Sequence, residues 1–135
     1  MTTWITPKTN WQRGDYFNLE PDYARIKNNI LYVYEKTLQL YPSYQLKTMK
    51  EYTIYDIPHA DFFNTVEENI ELLVQGHFRP SGFREGKRYS GNDAPWDHED
   101  LNRIEENLAL LKQIYDSAEN GKRELPFILG EEIQI

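Results

Sequence analysis

Histidines beside carboxylates are the residues of this chain whose chemistry could be catalytic or metal-binding. His59 lies two residues before Asp61, His98 directly precedes two acidic residues, and His77 is remote from both. None of these histidines has an H-E-x-x-H or comparable zinc-ligand spacing. Both acidic stretches fall where a helix is expected to begin, and carboxylates there favour the helix dipole. We therefore interpret them as helix-capping residues and expect no metal site.

A segment from Ser81 to Arg88 resembles a phosphate-binding loop only faintly. It has one residue too few between its glycines and no Ser or Thr after Lys87. The chain contains no cysteine, which excludes disulfides and thiolate chemistry. Its net charge of −7, from 15 basic and 22 acidic residues, would repel nucleic acids and anionic membranes. We expect no catalytic residue, no cofactor, and neither a nucleic-acid nor a membrane partner.

A short helical phrase with a central asparagine occurs three times along the chain. The central residues are Asn29, Asn69 and Asn107, which lie 40 and 38 residues apart, so the chain reads as three variants of one helix-plus-linker unit. Asparagine costs roughly 0.5 to 0.7 kcal/mol against alanine in a helix interior, which favours a tertiary role. Its amide can satisfy the backbone N–H and C=O of a linker that crosses the helix. Arg25 and Arg103 lie four residues before two of these asparagines and share their helix side.

We predict that these polar residues form an internal scaffold that fixes how the linkers lie on the helices. The predicted scaffold consists of Arg25, Asn29, Asn69, Arg103 and Asn107. A polar surface that binds a partner is the alternative interpretation.

Each phrase also carries an apolar stripe at the spacing of one helix face. The predicted core stripe consists of Tyr23, Ile26, Ile30, Val33, Phe63, Val66, Ile70, Leu73, Leu101, Ile104, Leu108 and Leu111. A single helix with one such stripe is marginal in water, so three stripes most economically bury each other. The expected fold class is mainly α, a three-helix bundle built from three helix-plus-linker repeats.

Turn and capping residues set the expected helix limits. Helix one should begin at Asn18 and stop near Tyr41, because Pro42 follows. Helix two should end at Gly76, and helix three should run from a cap at Asp97 to 120–121, an Asn-Gly pair.

We expect a single domain over 1–135, with repeat units at roughly 11–45, 46–80 and 81–121. The region 124–135 reads as two short strand-like pieces around a glycine, which predicts a small C-terminal β hairpin or strand.

The repeated phrases resemble a family of bacteriophage tail and baseplate structural proteins from phages of Gram-positive hosts. Family members carry helices with an N-R-[IL]-E-x-N core, and the third phrase, from Asn102 to Asn107, is the nearest match. The first phrase, which has Trp11 and the pair Asp15-Tyr16 before its helix, carries Ala24 at the first Asn position of this core. The second phrase carries Thr65 at the Arg position. The resemblance covers roughly 11–112.

The resemblance implies a non-enzymatic virion component of the tail tip, baseplate or fibre attachment, made in the host cytoplasm and located in the tail. Its implied partners are other phage tail and baseplate proteins, with a homo-oligomer in the particle. One alternative is a carbohydrate-binding module for adhesion to the host cell wall, and another is a small hydrolase that gathers carboxylates and a histidine from different units.

Two regions are candidate interface pieces. The loop from Phe78 to Trp96 is long and carries arginines and aromatic residues, which suits a protein-binding loop, a plain solvated connection, or a sugar platform. An apolar strand at a terminus is a common means of latching onto a partner. The candidate interface residues are Phe83, Arg84, Tyr89, Phe127, Ile128, Leu129 and Ile133.

Overall fold

Three α-helices form the bundle in the computed structural model, which describes residues 2–41, 43–53, 55–75, 78–91 and 94–128, with side chains up to residue 118. A π-helical turn, Leu19–Tyr23, leads into α1 (Ala24–Thr37), which is followed by α2 (Ala60–Leu72) and α3 (His98–Ile128). The prediction of a mainly α-helical bundle with three helices is confirmed, and the described residues contain no strand.

The three helices run in the same direction. Along α1 and α3, Arg25 pairs with Glu105 and Tyr32 with Asp116, so the numbers rise together in both helices. The same order holds for α2 and α3: the Trp96 ring just before α3 contacts Phe63, and Arg103 pairs with Glu67 one turn further along α2. Parallel helices require connections that return along the outside. We call residues 38–59, between α1 and α2, linker 2, and residues 73–97, between α2 and α3, linker 3; residues 2–18, before the first helix, are linker 1.

The core lies where the three stripes meet. All twelve residues of the core stripe are buried, and Ile26, Ile104 and Leu111 have no exposed surface. Linker aromatics extend this core toward the start of the helices, where Phe17 packs edge-on against Trp96 at a ring distance of 5.5 Å. The rings therefore close one end of the bundle by hydrophobic burial.

The start of the first helix contains one residue more than the start of α3. Before α3, the Asp97 N–H donates to the carboxylate of Asp100, three residues on, whereas the Asn18 N–H donates to Asp22, four residues on. The π-helical turn accommodates this additional residue. The first helix also ends earlier than predicted, at Thr37, and a hydrogen-bonded turn continues to residue 41.

The third helix continues beyond its predicted end at 120–121 and reaches Ile128. A glycine inside a helix costs only about 1 kcal/mol against alanine, which by itself does not end a helix. Of the region 124–135, where we predicted a hairpin or strand, residues 124–128 belong to α3, and 129–135 lie outside the described residues, as does Gly76 at the predicted end of helix two. In the part of the chain that is described, no helix has the length and apolar character needed to cross a membrane.

Candidate functional site

Each central asparagine clamps one linker residue through both ends of its side-chain amide. The amide oxygen accepts from the backbone N–H and the amide nitrogen donates to the backbone C=O of the same residue. The pairs are Asn29 with Ile5, Asn69 with Lys47 and Asn107 with Arg84, at donor–acceptor distances between 2.7 and 3.0 Å. Because Asn29, Asn69 and Asn107 are also buried, the clamps hold each linker on its own helix.

A second set of clamps holds the linkers on a neighbouring helix. Asn102 of α3 binds the backbone of Trp11 in linker 1, and Asn64 of α2 binds the backbone of Tyr89 in linker 3, at 2.7 to 3.0 Å. Both asparagines lie five residues before a central asparagine. The third residue at this position is Ala24, which is exposed and has no amide. Linker 2 therefore lacks the clamp that the other two linkers have.

The junction between α1 and α3 is fastened by a buried carboxylate. Glu105 accepts two hydrogen bonds from the Arg25 guanidinium, at 2.8 and 2.6 Å, and one from the indole of Trp11 at 2.9 Å. Arg25 also donates to Asp22 at 3.0 Å. The hydrogen bonds with Glu105 raise the pKa of Arg25 above its ordinary value. The junction is thus held by a charged pair whose hydrogen-bonding groups are satisfied.

The junction between α2 and α3 repeats this arrangement. Glu67 accepts from the Arg103 guanidinium at 2.8 and 2.7 Å, and from Tyr89 and Trp96 at 3.1 Å each. Burial by itself would lower the pKa of Arg103, but the hydrogen bonds with Glu67 and the nearby carboxylates outweigh it, and the pKa is raised. Both arginines of the predicted scaffold therefore join helices, whereas the asparagines hold linkers.

The junction between α1 and α2 has neither the arginine nor the glutamate at the corresponding positions of the repeat. Thr65 occupies the position of Arg25 and Arg103 in the repeat, and Lys27 occupies the position of the two glutamates. Lys27 instead pairs with Glu51 of linker 2 at 2.6 Å. Both members of the charged pair are thus replaced at the same junction.

Aromatic rings take the place of the charged pair at the α1–α2 junction. Tyr23, Tyr52 and Phe62 form a triangle with ring-centre distances of 5.0 to 5.2 Å. Beside it, a cavity of about 400 Å³ opens between linker 2 and α2, with Thr65 and Lys50 among its lining residues. The α1–α2 junction is thus the one of the three junctions whose residues depart from the repeat pattern, with Thr65 and Lys27 in place of the arginine and glutamate. We take it as the candidate site.

The loop from Phe78 to Trp96 does not present its aromatic rings together. Tyr89 and Trp96 are each 8% exposed, and Phe83 is partly buried against the core. Tyr89, which we predicted at an interface, belongs to the core instead because its hydroxyl donates to buried Glu67. Arg84 is exposed and pairs with Glu106.

The remaining candidate interface residues lie near the C-terminus. Phe127 and Ile128 are in the part of α3 whose side chains are not described, and Leu129 and Ile133 lie outside the described residues.

Carboxylates and a histidine from different units do meet, in a cavity of about 230 Å³ lined by Asp15, Asp97 and His98. A backbone hydrogen bond from Gln12 lowers the pKa of Asp15, and one from Asp100 lowers the pKa of Asp97. A general acid at neutral pH needs a raised pKa, so these carboxylates are suited to fastening a turn and a helix start. Among the described residues, no group of three or more potential ligands could hold a metal ion.

Sequence reasoning missed the partners of the scaffold. Glu67 and Glu105, as well as Asn64 and Asn102, occur within the repeated phrases, and their fixed offsets from the central asparagines were a signal available in the sequence. Residues 2–10 lie outside the predicted first unit, yet Ile5 is clamped there in the same way as Lys47 and Arg84.

Comparison with known proteins gives no match, whether against protein-family models, curated proteins or solved structures.

Proposed function

We propose that this chain is a non-enzymatic structural protein of a phage tail, a building block of the tail tip, baseplate or fibre attachment that acts through protein–protein contacts. The proposal depends on the structural role of the residues in the repeated phrase. Its residues that resemble the phage family are the same residues that bind linkers and join helices, as Asn102, Arg103, Glu105 and Asn107 do.

A bundle fastened in this way is suited to a mechanical role. Removing one partner of a buried ion pair is strongly destabilising, so Arg25 with Glu105 and Arg103 with Glu67 hold the helices in one order. The buried charges serve the fold and leave the outer surface to make the contacts with other proteins.

Large apolar side chains are exposed on the surface of the turns before the first helix and before α2. Tyr16, Tyr55 and Ile57 are 86%, 87% and 75% exposed, respectively. Tyr16 and Ile57 each follow a turn that closes on an aspartate, so they occupy equivalent positions in two units. Large exposed apolar side chains that recur in this way favour a protein contact. The sugar-binding alternative has less support, because Tyr89 and Trp96 are buried.

The test uses purified particles of a phage that encodes this sequence. Mass spectrometry should find the chain at a fixed copy number per particle, and immunogold labelling should place it on the tail. A chain that is abundant in infected cells and absent from particles would contradict the proposal.

Complementation with surface variants tests the route of assembly. A Tyr16→Ser, Tyr55→Ser and Ile57→Ser variant should enter particles less efficiently than the wild-type chain. Arg13→Ser is the matched control, because Arg13 is exposed in the turn next to Tyr16. Equal incorporation of both variants would exclude this surface as the contact.

Light scattering of the purified chain across concentration tests the expected homo-oligomer. A defined oligomer that is lost when residues 125–135 are removed would assign the contact to the C-terminal region, and a monomer in both forms would make assembly depend on a different protein.

A further inference from the structure

Three linker segments without regular secondary structure pack against the helices, and each follows a linker residue that is clamped by a central asparagine. We call them strap 1 (residues 6–11), strap 2 (48–53) and strap 3 (85–90). They are equivalent segments of the three units, because each ends at or next to an aromatic residue that packs on the core, Trp11, Tyr52 or Tyr89. Their attachments to the helices can therefore be compared directly.

Straps 1 and 3 are fastened at both ends. The far end of strap 1 is the Trp11 backbone held by Asn102, and the Trp11 indole also donates to Glu105. Strap 3 contains the Tyr89 backbone held by Asn64, at 2.7 Å for both hydrogen bonds. These far ends can leave the helices only if hydrogen bonds to buried groups are broken.

Strap 2 is fastened at its near end, where Asn69 binds Lys47, and beyond it by one side-chain hydrogen bond and one exposed ion pair. The Tyr23 hydroxyl donates to the Lys50 carbonyl at 2.6 Å, and Glu51, which pairs with Lys27, has a side chain that is 88% exposed. The residue at the clamp position of the repeat is Ala24, which is exposed and has no side-chain amide to bind the strap. An exposed ion pair of this kind contributes little to holding a segment.

Cavities lie on both sides of strap 2. One of about 400 Å³ separates it from α2, and a second of about 400 Å³, lined by Leu31, Thr48 and Met49 among others, lies against α1. Met49 is buried and the Tyr52 ring is partly buried, so the strap is seated on the core through apolar contacts. Apolar contacts have no directional requirement and can be released while the helices stay intact.

We propose that strap 2 opens locally from the folded bundle and uncovers the Tyr23 and Phe62 rings at the α1–α2 junction. Straps 1 and 3 stay closed because their far ends are clamped by Asn102 and Asn64. The opening concerns the bundle itself and does not depend on the proposed role in a phage tail.

Native-state hydrogen exchange followed by mass spectrometry of the full chain tests the proposal. After correction for intrinsic rates, amides in 48–53 should be protected at least about tenfold less than those in 6–11 and 85–90, since one clamp contributes two hydrogen bonds. The helix amides should remain protected on the same timescale. Equal protection of the three straps, within about threefold, would overturn the proposal. It would also be overturned if the strap 2 amides exchanged only when α1 and α2 unfold.

Two matched variants assign the difference to the missing clamp. Ala24→Asn should raise the protection of strap 2 by about tenfold and leave straps 1 and 3 unchanged. Asn64→Ala, which removes the equivalent clamp, should lower the protection of strap 3 toward that of strap 2. An Ala24→Asn chain that folds with unchanged strap 2 protection would refute the clamp as the cause. If either variant fails to fold, as judged by circular dichroism, the comparison within the wild-type chain decides.

Discussion

The junctions that α3 makes with α1 and α2 differ in kind from the junction between α1 and α2. Arg25 with Glu105, and Arg103 with Glu67, form bidentate charged pairs with fixed geometry. The α1–α2 junction packs aromatic rings around Phe62 and contains no such pair among its described residues. Directional pairs specify which helix lies beside which, and ring packing then closes the bundle without specifying direction. Two specified junctions are enough to order three helices.

The α1–α2 junction also shows that a buried charged pair is replaced as a whole. Thr65 stands in the arginine position, and the facing glutamate position is Lys27. An arginine left there without its carboxylate would be an uncompensated charge, which costs several kcal/mol when buried. Replacement of both members avoids that cost, and Lys27 takes its partner, Glu51, from the linker.

Breaking the α2–α3 junction should have the largest effect. Glu67→Ala removes the acceptor of Arg103, Tyr89 and Trp96, so we expect the free energy of unfolding to fall by about 3 to 5 kcal/mol in urea denaturation. The control is Glu68→Ala, because Glu68 is 30% exposed and pairs with Lys47 at the surface, a contact worth about 1 kcal/mol or less. Equal losses in the two variants would mean that the buried pair does not fasten the junction.

The second prediction removes the asparagine clamp of linker 1, so that the α1–α3 junction lacks this clamp as the α1–α2 junction does. Asn102→Ala reproduces the residue found at Ala24 and removes two hydrogen bonds to the Trp11 backbone. We expect a loss of about 1 to 3 kcal/mol in the free energy of unfolding, since the backbone groups lose their partner. Asn10→Ala, an exposed change in the same linker, should stay within about 0.5 kcal/mol. A neutral Asn102→Ala would show that the clamp carries no net stability.

Local periodicity was sufficient to predict the helices and their buried face. The positions of Ile30, Val66 and Leu108 follow from the three- and four-residue spacing, and all three are buried. The role of Asn29, Asn69 and Asn107 as linker clamps also followed from local physics, because a buried amide in a helix needs a backbone partner. These inferences depend only on neighbours along the chain.

The partners of the two arginines could not be predicted in this way. Arg25 binds Glu105, which is 80 residues away in the sequence, and the pairing depends on which helices are adjacent. We expected Arg25 and Arg103 to act on linkers with the asparagines, since they share a helix side, but their longer side chains reach across to the next helix. The order of helices around a bundle is not encoded in any single phrase.

The third prediction tests how tightly the α2–α3 junction is packed. A Cβ on Gly86 would lie 2.6 Å from Glu67 Oε1, so Gly86→Ala must displace the carboxylate that holds Arg103. We expect a loss of about 1 to 2 kcal/mol in the free energy of unfolding, as for an overpacked site. Gly91→Ala in the same linker is the matched control, because nothing lies within 4 Å of its Cβ position. Similar changes in both would mean that the close approach to Glu67 is not what limits residue 86.

The smallest expected effect comes from building a charged pair into the α1–α2 junction. Thr65→Arg alone adds a guanidinium without its carboxylate partner, and Lys27→Glu alone removes the pair with Glu51, so each should cost about 1 kcal/mol. In the double variant the new groups can pair, and a double-mutant cycle from urea denaturation should give a favourable coupling of about 1 kcal/mol.

The net stability of that double variant should stay near the wild-type value, because desolvation of the new charges offsets their attraction. A favourable coupling would show that the three junctions are interchangeable positions of one repeat, and that the difference lies in the side chains. A coupling of zero would mean that Phe62, which occupies the repeat position of Asp22 before α1 and of Asp100 in α3, sets the geometry of this junction. In that case the ring triangle, and not the absence of the charged pair, distinguishes the α1–α2 junction from the other two junctions.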